Sequence, residues 1–492
     1  MNAATLVLVV PAASAMVLGL VGSARRAAWV NIFASGAGLA ASLRLAWIVL
    51  TDGPILTGAL YVDAFNVYLI GLTSLVGFTT SVFSRPYMAH ELALRRVTPL
   101  RMRLYHGSFQ GFMFTMLLAL ATNNLGVLWV ALEGATLATV LLVSLYRTPE
   151  SIEAAWKYFI LCGVGIAQAL FGTVLLYFAA ARVIPDPDHA LQWTVLFAHA
   201  AHLEPVIVAI AFIFLLIGYG TKVGLVPMHN WLPDAHSEGP TPMSAVLSGL
   251  LLNVALYAVV RLKMIVDVAL SAGDLHNPRL AGNLMMGFGL LSFIVAGLFL
   301  HRQRDIKRLF SYSSIEHMGL MTFAFGLGGP LATFGALLHM TVHSLTKSAL
   351  FVTVGHACQI AGTQRMEQIR GLIRTQPAVG WGLLFGSVAI AGFPPFGVFT
   401  SEFLLLSATM KSWPWLAVPL LAGLAVAFAG LFRHLHPMVF GAAPAGQAPI
   451  VHNPLPLALH LSLVLWLGLA IPGFLARWFD EATRLISGSG LL

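Results

Sequence analysis

The chain has 492 residues, of which 58% are hydrophobic and 9% are charged. Soluble domains carry about 25% charged residues, so this composition excludes a soluble enzyme. A formal charge of +8 would suggest nucleic-acid binding in a soluble protein, but the Lys and Arg residues lie mainly in short segments between apolar runs. Membrane topology explains these charges better, and we expect no nucleic-acid partner.

Apolar runs recur along the whole chain. At about twenty residues, such a run is long enough to cross a hydrocarbon core of about 30 Å as a helix. The first run precedes Arg25 and Arg26 and has no basic residue before it, which reverses the charge order of a cleavable signal peptide. We therefore predict an all-α integral membrane protein with about fourteen transmembrane helices, in contact with membrane lipids. They lie near 4–22, 28–50, 64–83, 107–122, 125–145, 154–181, 205–228, 241–264, 278–300, 305–326, 329–358, 378–411, 414–435 and 455–478.

Basic residues are concentrated in alternate connections between the predicted helices. One set of connections is poor in them and contains Arg182, Arg279 and Lys411. The basic set contains Arg25, Arg26, Arg85, Arg95, Arg96, Arg101, Arg103, Arg302, Arg304, Lys307, Arg308, Arg365, Arg370 and Arg374. Because basic loops remain in the cytoplasm, we expect the basic set to face the cytoplasm of a bacterial inner membrane, with both termini on the periplasmic side.

Two predicted helices contain residues that interrupt a helix. Pro227 follows Lys222 in the seventh, and Gly392, Pro394 and Pro395 interrupt the twelfth. Irregular backbone at membrane depth is tolerated where it is buried in protein or lines a hydrated cavity, so the breaks are candidate transport positions, with simple kinks as the alternative. Their odd spacing of five helices favours inverted repeats. The predicted divisions are N-terminal helices at 1–106, five-helix repeats at 107–264 and 278–435, and a C-terminal helix and tail at 455–492.

Ionisable side chains inside these helices need a partner or a task, because each costs at least about 2.5–3.5 kcal/mol to insert. Glu133 is the lone charge of the fifth helix, and Lys222 of the seventh is the obvious partner. A nearby carboxylate favours the charged ammonium, so a change in their coupling would switch Lys222 between holding and releasing a proton. A static ion pair that only fixes packing is the alternative.

A second group of ionisable residues lies on the eleventh predicted helix. His339, His343 and Lys347 are spaced four residues apart and therefore share one helix face. They could relay a proton, although a zinc site or histidines bonded to backbone would also fit two imidazoles one turn apart. Cys162 and Cys358 lie in apolar segments without ligand spacing, so we predict no disulfide, no metal and no cofactor.

The remaining candidates flank the two breaks. Glu402 follows the Pro394 and Pro395 break and could be the last protonatable group before the far side, or a cap of the second half-helix. The segment after Pro227 carries His229, Asp234 and His236. We interpret that segment as a cytoplasmic loop, which either gathers protons or is an ordinary polar turn.

Three stretches carry a resemblance to a known family. They read TKVGLVPMHNWLPDAHSEGPTPMSAVLSGLLLNVALYAVVR, RDIKRLFSYSSIEHMGL and LLHMTVHSLTKSALF. Together they resemble the proton-translocating, antiporter-like subunits of respiratory complex I and related cation/proton antiporters, over about residues 60–435. The segment EGATLATVLLVSLYRTPESIEAAWKYFILCGVGIA is most similar to the F component of hydrogenase-4 and formate hydrogenlyase complexes.

The resemblance implies a fourteen-helix subunit with two inverted five-helix repeats and a proton path. The implied path residues are Glu133, Lys222, His339, His343, Lys347 and Glu402. The secondary positions are His229, Asp234, His236, Asn253, Lys263 and His317. Many relatives carry Lys or His on the eighth helix, where this chain has Ser248 and Asn253, so the central step would need water or help from Lys263 if it reaches inward.

These features favour a subunit that moves protons within a redox-driven complex, with other membrane subunits as partners. The chain carries no recognisable flavin, quinone, nickel or iron–sulfur motif, so electron transfer is expected in those partners. Three alternatives stay open: a stand-alone sodium/proton antiporter, a proton-conducting partner of an inorganic-carbon uptake system, and a structural scaffold with vestigial charges.

Overall fold

The computed structural model describes residues 2–20, 23–273, 277–442 and 453–492, and these residues are mainly helical. The first ten helices are α1 (Ala3–Leu20), α2 (Ala24–Asp52), α3 (Ala64–Ala93), α4 (Pro99–Ala121), α5 (Leu125–Val143), α6 (Pro149–Ala180), α7 (Trp193–Ala198), α8 (Pro205–Val223), α9 (Trp231–Glu238) and α10 (Thr241–Val246). The others are α11 (Leu252–Ala272), α12 (Leu280–Leu300), α13 (Ile306–Leu327), α14 (Gly329–Ala361), α15 (Leu372–Thr375), α16 (Pro377–Ile390), α17 (Gly397–Ser412), α18 (Ala417–Phe440), α19 (Leu455–Leu469) and α20 (Gly473–Ser487). A π-helical turn, Leu247–Leu251, joins α10 to α11.

Long apolar helices dominate the chain, as the composition predicted. Among the described residues, 9 helices are long and apolar enough to cross a membrane, or up to 10 if α19 and α20 form one bent span. The fourth, tenth and eleventh predicted helices correspond to α4, α13 and α14, which are long but not among those 9. The all-α membrane fold is confirmed, whereas the count of fourteen stays a prediction.

Several helix bounds differ from the prediction. Helices α3 and α4 extend to Ala93 and back to Pro99, so Arg85 lies within a helix rather than in a loop. Thr98 begins α4 because its hydroxyl accepts a hydrogen bond from the Arg101 amide. The last predicted helix is in fact two helices, α19 and α20, bent by 79°. Predicted residues 21 and 22 of the first helix lie outside the described residues.

A hairpin and several short helices were not predicted. Strands β1 (Ile55–Thr57) and β2 (Leu60–Val62) form a short antiparallel hairpin between α2 and α3. The polar segment that we interpreted as a cytoplasmic loop forms helix α9, in which Trp231 and His236 are buried, so the loop interpretation was wrong. The polar segment packs into the bundle because Trp231, Leu232 and Ala235 of α9 are buried.

The predicted helix breaks are present. Helix α8 ends at Val223 because Gly224 adopts a left-handed conformation with φ of 84°. The twelfth predicted helix is divided into α16 and α17 by the segment 391–396, which contains Pro394 and Pro395. One break lies in each half of the chain, which fits the predicted inverted repeats, and the repeat boundaries themselves stay predictions.

Burial separates an apolar exterior from a polar interior. Outer helices expose large apolar side chains, among them Trp47, Leu141 and Trp415. The span formed by α10, the π-helical turn and α11 is fully buried in its most apolar window. Helices α13 and α14 are also buried along most of their length, although they carry several ionisable side chains. The polar residues are therefore held in the middle of the bundle, shielded from the surrounding lipid.

Each end of the bundle holds a cavity. One end, which we call the basic face, brings Arg96, Glu238, Lys307 and Gln364 around a cavity of about 410 Å³. The other end, the opposite face, has a cavity of about 690 Å³ lined by Lys263, Arg279 and residues 485–488 of α20 and its cap. Arg96 and Lys307, from two of the segments predicted to be basic, therefore lie at the same face.

Candidate functional site

The first part of the site is an ion pair at the end of α8. Lys222 is the residue before the last of α8, and its Nζ lies 3.2 Å from Glu133 Oε2 of α5. The same ammonium donates to the hydroxyl of Thr136, one turn after Glu133. The Lys222 side chain is 0% exposed and that of Glu133 is 20% exposed. A buried ammonium is stable only with such partners, so a change at Glu133 acts directly on the proton of Lys222.

Three imidazoles form the centre of the site. His339 of α14 contacts His317 of α13 through Nε2 and Nδ1 at 3.0 Å, and its own Nδ1 lies 2.9 Å from Ser401 Oγ. The His343 ring lies 5.5 Å from His317 and 6.4 Å from His339 between centroids. A bond between two imidazoles needs one protonated and one bare nitrogen, so it is a position where a proton can change sides. Neither His343 ring nitrogen has a partner within the described part of the chain.

Lys347 continues this line one helical turn beyond His343. Its side chain is buried, and Nζ donates to the carbonyl oxygen of Phe310 at 3.1 Å. The ammonium also lies 5.8 Å from the centre of the Phe310 ring. The face that the sequence spacing predicted for α14 is therefore present, and it is turned toward α13.

Two carboxyl groups meet beyond Lys347. Glu402 of α17 is buried, and its Oε1 has no hydrogen-bond partner within the described residues. Glu316 of α13 is buried and lines the same cavity of about 10 Å³, together with Ser313. Glu316 was not predicted as a site residue. An acid within an apolar membrane helix is the feature by which Glu133 and Glu402 were identified, and the same feature could have identified Glu316.

Hydroxyl and amide groups lie at the boundary between the two halves. Ser248 of the π-helical turn contacts Ser314 of α13 at 2.7 Å between hydroxyl oxygens. Asn253 Nδ2 donates to Ser344 Oγ of α14 at 2.7 Å. These two residues connect the fully buried span to both helices that carry the histidines, and hydroxyls can order water between titratable groups.

Lys263 does not reach the centre of the bundle. It pairs with Asp267 one turn along α11 and lines the cavity at the opposite face with Arg279. The expectation that Lys263 could help the central step is therefore wrong, because its ammonium is engaged at the end of the bundle.

The residues of the former loop segment have different neighbours. Asp234 of α9 forms ion pairs with Lys157 at 3.3 Å and with Arg308 at 2.5 Å. His236 stacks on Phe351 with ring centroids 5.0 Å apart. His229 precedes α9 and lies edge-on to the Tyr312 ring. A role of this segment in gathering protons stays a prediction.

A second buried ion pair was not predicted. Arg261 Nη2 lies 2.6 Å from Asp63 Oδ1, and both side chains are almost fully buried. The guanidinium also lies 4.5 Å from the centre of the Trp193 ring. Among the described residues, no group of three or more His, Cys, Asp or Glu side chains is arranged to hold a metal ion.

Comparisons with known proteins identify the family of the chain. Residues 122–428 match the family described as NADH:quinone oxidoreductase/Mrp antiporter, TM. A hydrogenase-4 component F homolog from Methylacidiphilum infernorum is 49% identical over 489 residues, which cover 99% of this chain and 100% of that protein.

Solved structures share the fold over almost the whole chain. A chain of the archaeal membrane-bound sulfane sulfur reductase aligns with a TM-score of 0.86 at 23% identity, covering 98% of this chain and 97% of that one. A chain of respiratory complex I from Thermus thermophilus aligns with a TM-score of 0.74 at 24% identity, covering 94% and 97%. The chain therefore belongs to the NADH:quinone oxidoreductase/Mrp antiporter family, as an antiporter-like, multi-pass membrane subunit.

Proposed function

We propose that the chain is the proton-translocating subunit of a redox-driven membrane complex of the hydrogenase or complex I type. The observation that carries this proposal is the ion pair of buried Lys222 with Glu133 at a helix break. An ion pair that only stabilised the fold would not need other buried ionisable residues in the same bundle. Here His317, His339 and Lys347 supply such residues on α13 and α14, which is typical of a proton path.

The pair provides the switch. While Glu133 is close, its carboxylate stabilises the ammonium form of Lys222; when the two separate, the buried ammonium loses that stabilisation and releases its proton. Water ordered by Ser248, Ser314 and neighbouring polar groups would carry the proton to the imidazoles, from which it reaches Lys347.

A neighbouring subunit is the expected source of the movement. Glu133 lies on the same face of α5 as Val130, Leu137 and Leu141, and these three side chains are exposed apolar residues. A partner packed on this face can approach Glu133 without entering the bundle. The partners would contain the redox centres. In support, the relative that is 49% identical over almost the whole chain is a homolog of a hydrogenase-4 component.

We infer that the membrane is a bacterial inner membrane and that both termini lie on its periplasmic side. The support is the clustering of basic connections at one face, illustrated by Arg96 and Lys307 around a single cavity. Basic segments are retained on the cytoplasmic side during insertion. The C-terminal helix α20 lines the cavity at the opposite face.

The decisive variant is Lys222→Met. We expect it to abolish proton uptake by proteoliposomes that contain the purified complex, because the first proton carrier is lost while the volume of the side chain is nearly kept. A pH-sensitive dye inside the vesicles reports the proton movement, and substrate oxidation measured in parallel reports the redox partners.

Lys157→Met is the matched control. Lys157 also pairs with acids, Glu153 at 2.7 Å and Asp234 at 3.3 Å, but its side chain is 50% exposed. The control should translocate protons at the wild-type rate. Proton uptake by Lys222→Met at that same rate would refute the proposed function.

A further inference from the structure

Glu316 has no role in the proton path proposed for Lys222, the histidines and Lys347. It projects from α13 into a cavity of about 10 Å³ that Glu402 enters from α17. Both side chains are more than nine-tenths buried, and Glu402 Oε1 is without a partner in the described chain. Two carboxylates facing one apolar cavity cannot both be ionised at low cost, so the pair is held together by at least one proton.

The cavity suits a single water molecule. Its volume is close to the lower limit of about 10–15 Å³ that one water needs, and a water also needs two to four polar partners. Glu316, Glu402 and the Ser313 hydroxyl supply three partners, while the remaining wall, including Leu300 and Leu424, is mainly apolar. An apolar wall with three convergent polar groups would hold the water in a fixed position between the carboxyls.

Lys347 connects this carboxyl pair to the histidines. It follows His343 by one turn of α14, and its ammonium donates to the Phe310 carbonyl of α13, two turns before Glu316 on the same helix. Glu316 and Glu402 line one cavity. Glu316 therefore lies on the helix that Lys347 contacts and faces the carboxyl at the helix break.

We propose that Glu316 is a proton carrier between Lys347 and Glu402, and that the two carboxyls share one transported proton through the water in their common cavity. This proposal rests on the proposed function and adds a step to it. With the shared proton on Glu402, the ammonium of Lys347 transfers a proton to the Glu316 carboxylate, which leaves a neutral amine and two neutral acids. Glu402 then releases its proton toward the far side. The Glu316 acid donates to the water, and the water donates to the Glu402 carboxylate, so that one proton has moved, Glu316 is again ionised and the pair has never lost its last proton.

The test uses the purified complex in proteoliposomes with Glu316→Gln. Glutamine keeps the shape of the side chain but cannot carry the proton, so we expect proton uptake to fall by about 100-fold or more. Glu316→Asp keeps an acid at this position and should retain measurable uptake. Glu367→Gln is the matched control, because Glu367 is exposed on the basic face and the same chemical change there should leave uptake unchanged.

A second measurement does not depend on how well the glutamine variant assembles. Infrared spectroscopy detects the carbonyl stretch of protonated carboxyl groups, and we expect this band to shift between the wild type and Glu316→Asp. Removing the third polar partner with Ser313→Ala should slow proton uptake while both carboxyls remain.

The outcomes separate this proposal from the proposed function. Wild-type uptake by Glu316→Gln, with uptake lost in Lys222→Met, would overturn the role of Glu316 and leave the function intact. Wild-type uptake by Lys222→Met would overturn the function itself. An infrared band that is identical in the wild type and Glu316→Asp would also overturn the shared proton.

Discussion

At the scale of single residues, two buried ion pairs differ in how completely they are enclosed. Asp63 and Arg261 are exposed by only 1% and 3%, and Asp63 also caps α3 by accepting from the Phe65 amide. In the other pair, Lys222 is enclosed but Glu133 is 20% exposed. A neighbouring protein cannot reach a fully buried ion pair unless the fold opens. It can act on a pair of which one side chain is partly exposed. We therefore interpret the first pair as structural and the second as the switch.

We expect Arg261→Met to destabilise the protein by about 3–5 kcal/mol, because it leaves the Asp63 carboxylate buried without its counter-charge. Arg308→Gln is the control, since its pair with Asp234 has an arginine side chain that is 39% exposed and exposed pairs contribute about 0–1 kcal/mol. Thermal unfolding in mild detergent, followed by tryptophan fluorescence, measures both. Equal unfolding temperatures for the two variants would contradict the structural role of Asp63 and Arg261.

At the scale of helices, local residue types predicted the breaks better than they predicted the segments after them. Pro227 and the group from Gly392 to Pro395 disfavour a continuous helix, so both interruptions were visible in the sequence. Helix α9 was not predicted because its polar residues are typical of a loop. Their burial depends on packing against the rest of the bundle.

The candidate site was partly predictable for the same reason. Spacing on one helix placed His339, His343 and Lys347 together, and the lone charges of α5 and α8 suggested their pairing. The alignment of His317 and Glu316 with that face depends on how α13 packs on α14, which no single-helix pattern contains. Contacts between helices therefore could not be predicted from the sequence of one helix.

The break in the second half makes room for a carboxyl group. Gly392 has a left-handed φ of +69°, and a Cβ added there would overlap Glu402 Oε2. Gly362, which follows α14, is also left-handed, with a φ of 67°, but has no atom within 4 Å of the added Cβ. The two glycines therefore separate backbone strain from displacement of the carboxyl.

We expect Gly392→Ala and Gly362→Ala each to lose about 1–2 kcal/mol of stability through backbone strain, because both force alanine to a left-handed φ. Only Gly392→Ala should also lose most proton uptake, since its methyl group displaces the Glu402 carboxyl from the cavity that it shares with Glu316. Thermal unfolding and proteoliposome uptake would be measured on both variants. If uptake fell equally in the two, backbone strain rather than the position of Glu402 would be responsible.

At the scale of the whole molecule, the candidate site crosses both halves of the chain. Glu133 and Lys222 come from α5 and α8, whereas Lys347 and Glu402 come from α14 and α17. The buried span of α10, the π-helical turn and α11 lies between them in sequence and contributes Ser248 and Asn253. Each half thus supplies one broken helix and one set of charges, which is the arrangement expected if a proton enters through one half and leaves through the other.

The direction of that movement depends on which face meets the cytoplasm, and the inferred orientation can be measured by cysteine labelling. Cys162 and Cys358 are first replaced by alanine, and single cysteines are introduced at Asn2, Gln368 or Ser489, all of which are exposed. A membrane-impermeant maleimide should label Asn2→Cys and Ser489→Cys on intact spheroplasts, because both positions lie at the inferred periplasmic side. Gln368→Cys, next to the basic residues Arg365 and Arg370, should react only after the membrane is permeabilised. The reverse pattern would invert the orientation, and Glu402 would then lie on the route by which protons enter rather than leave.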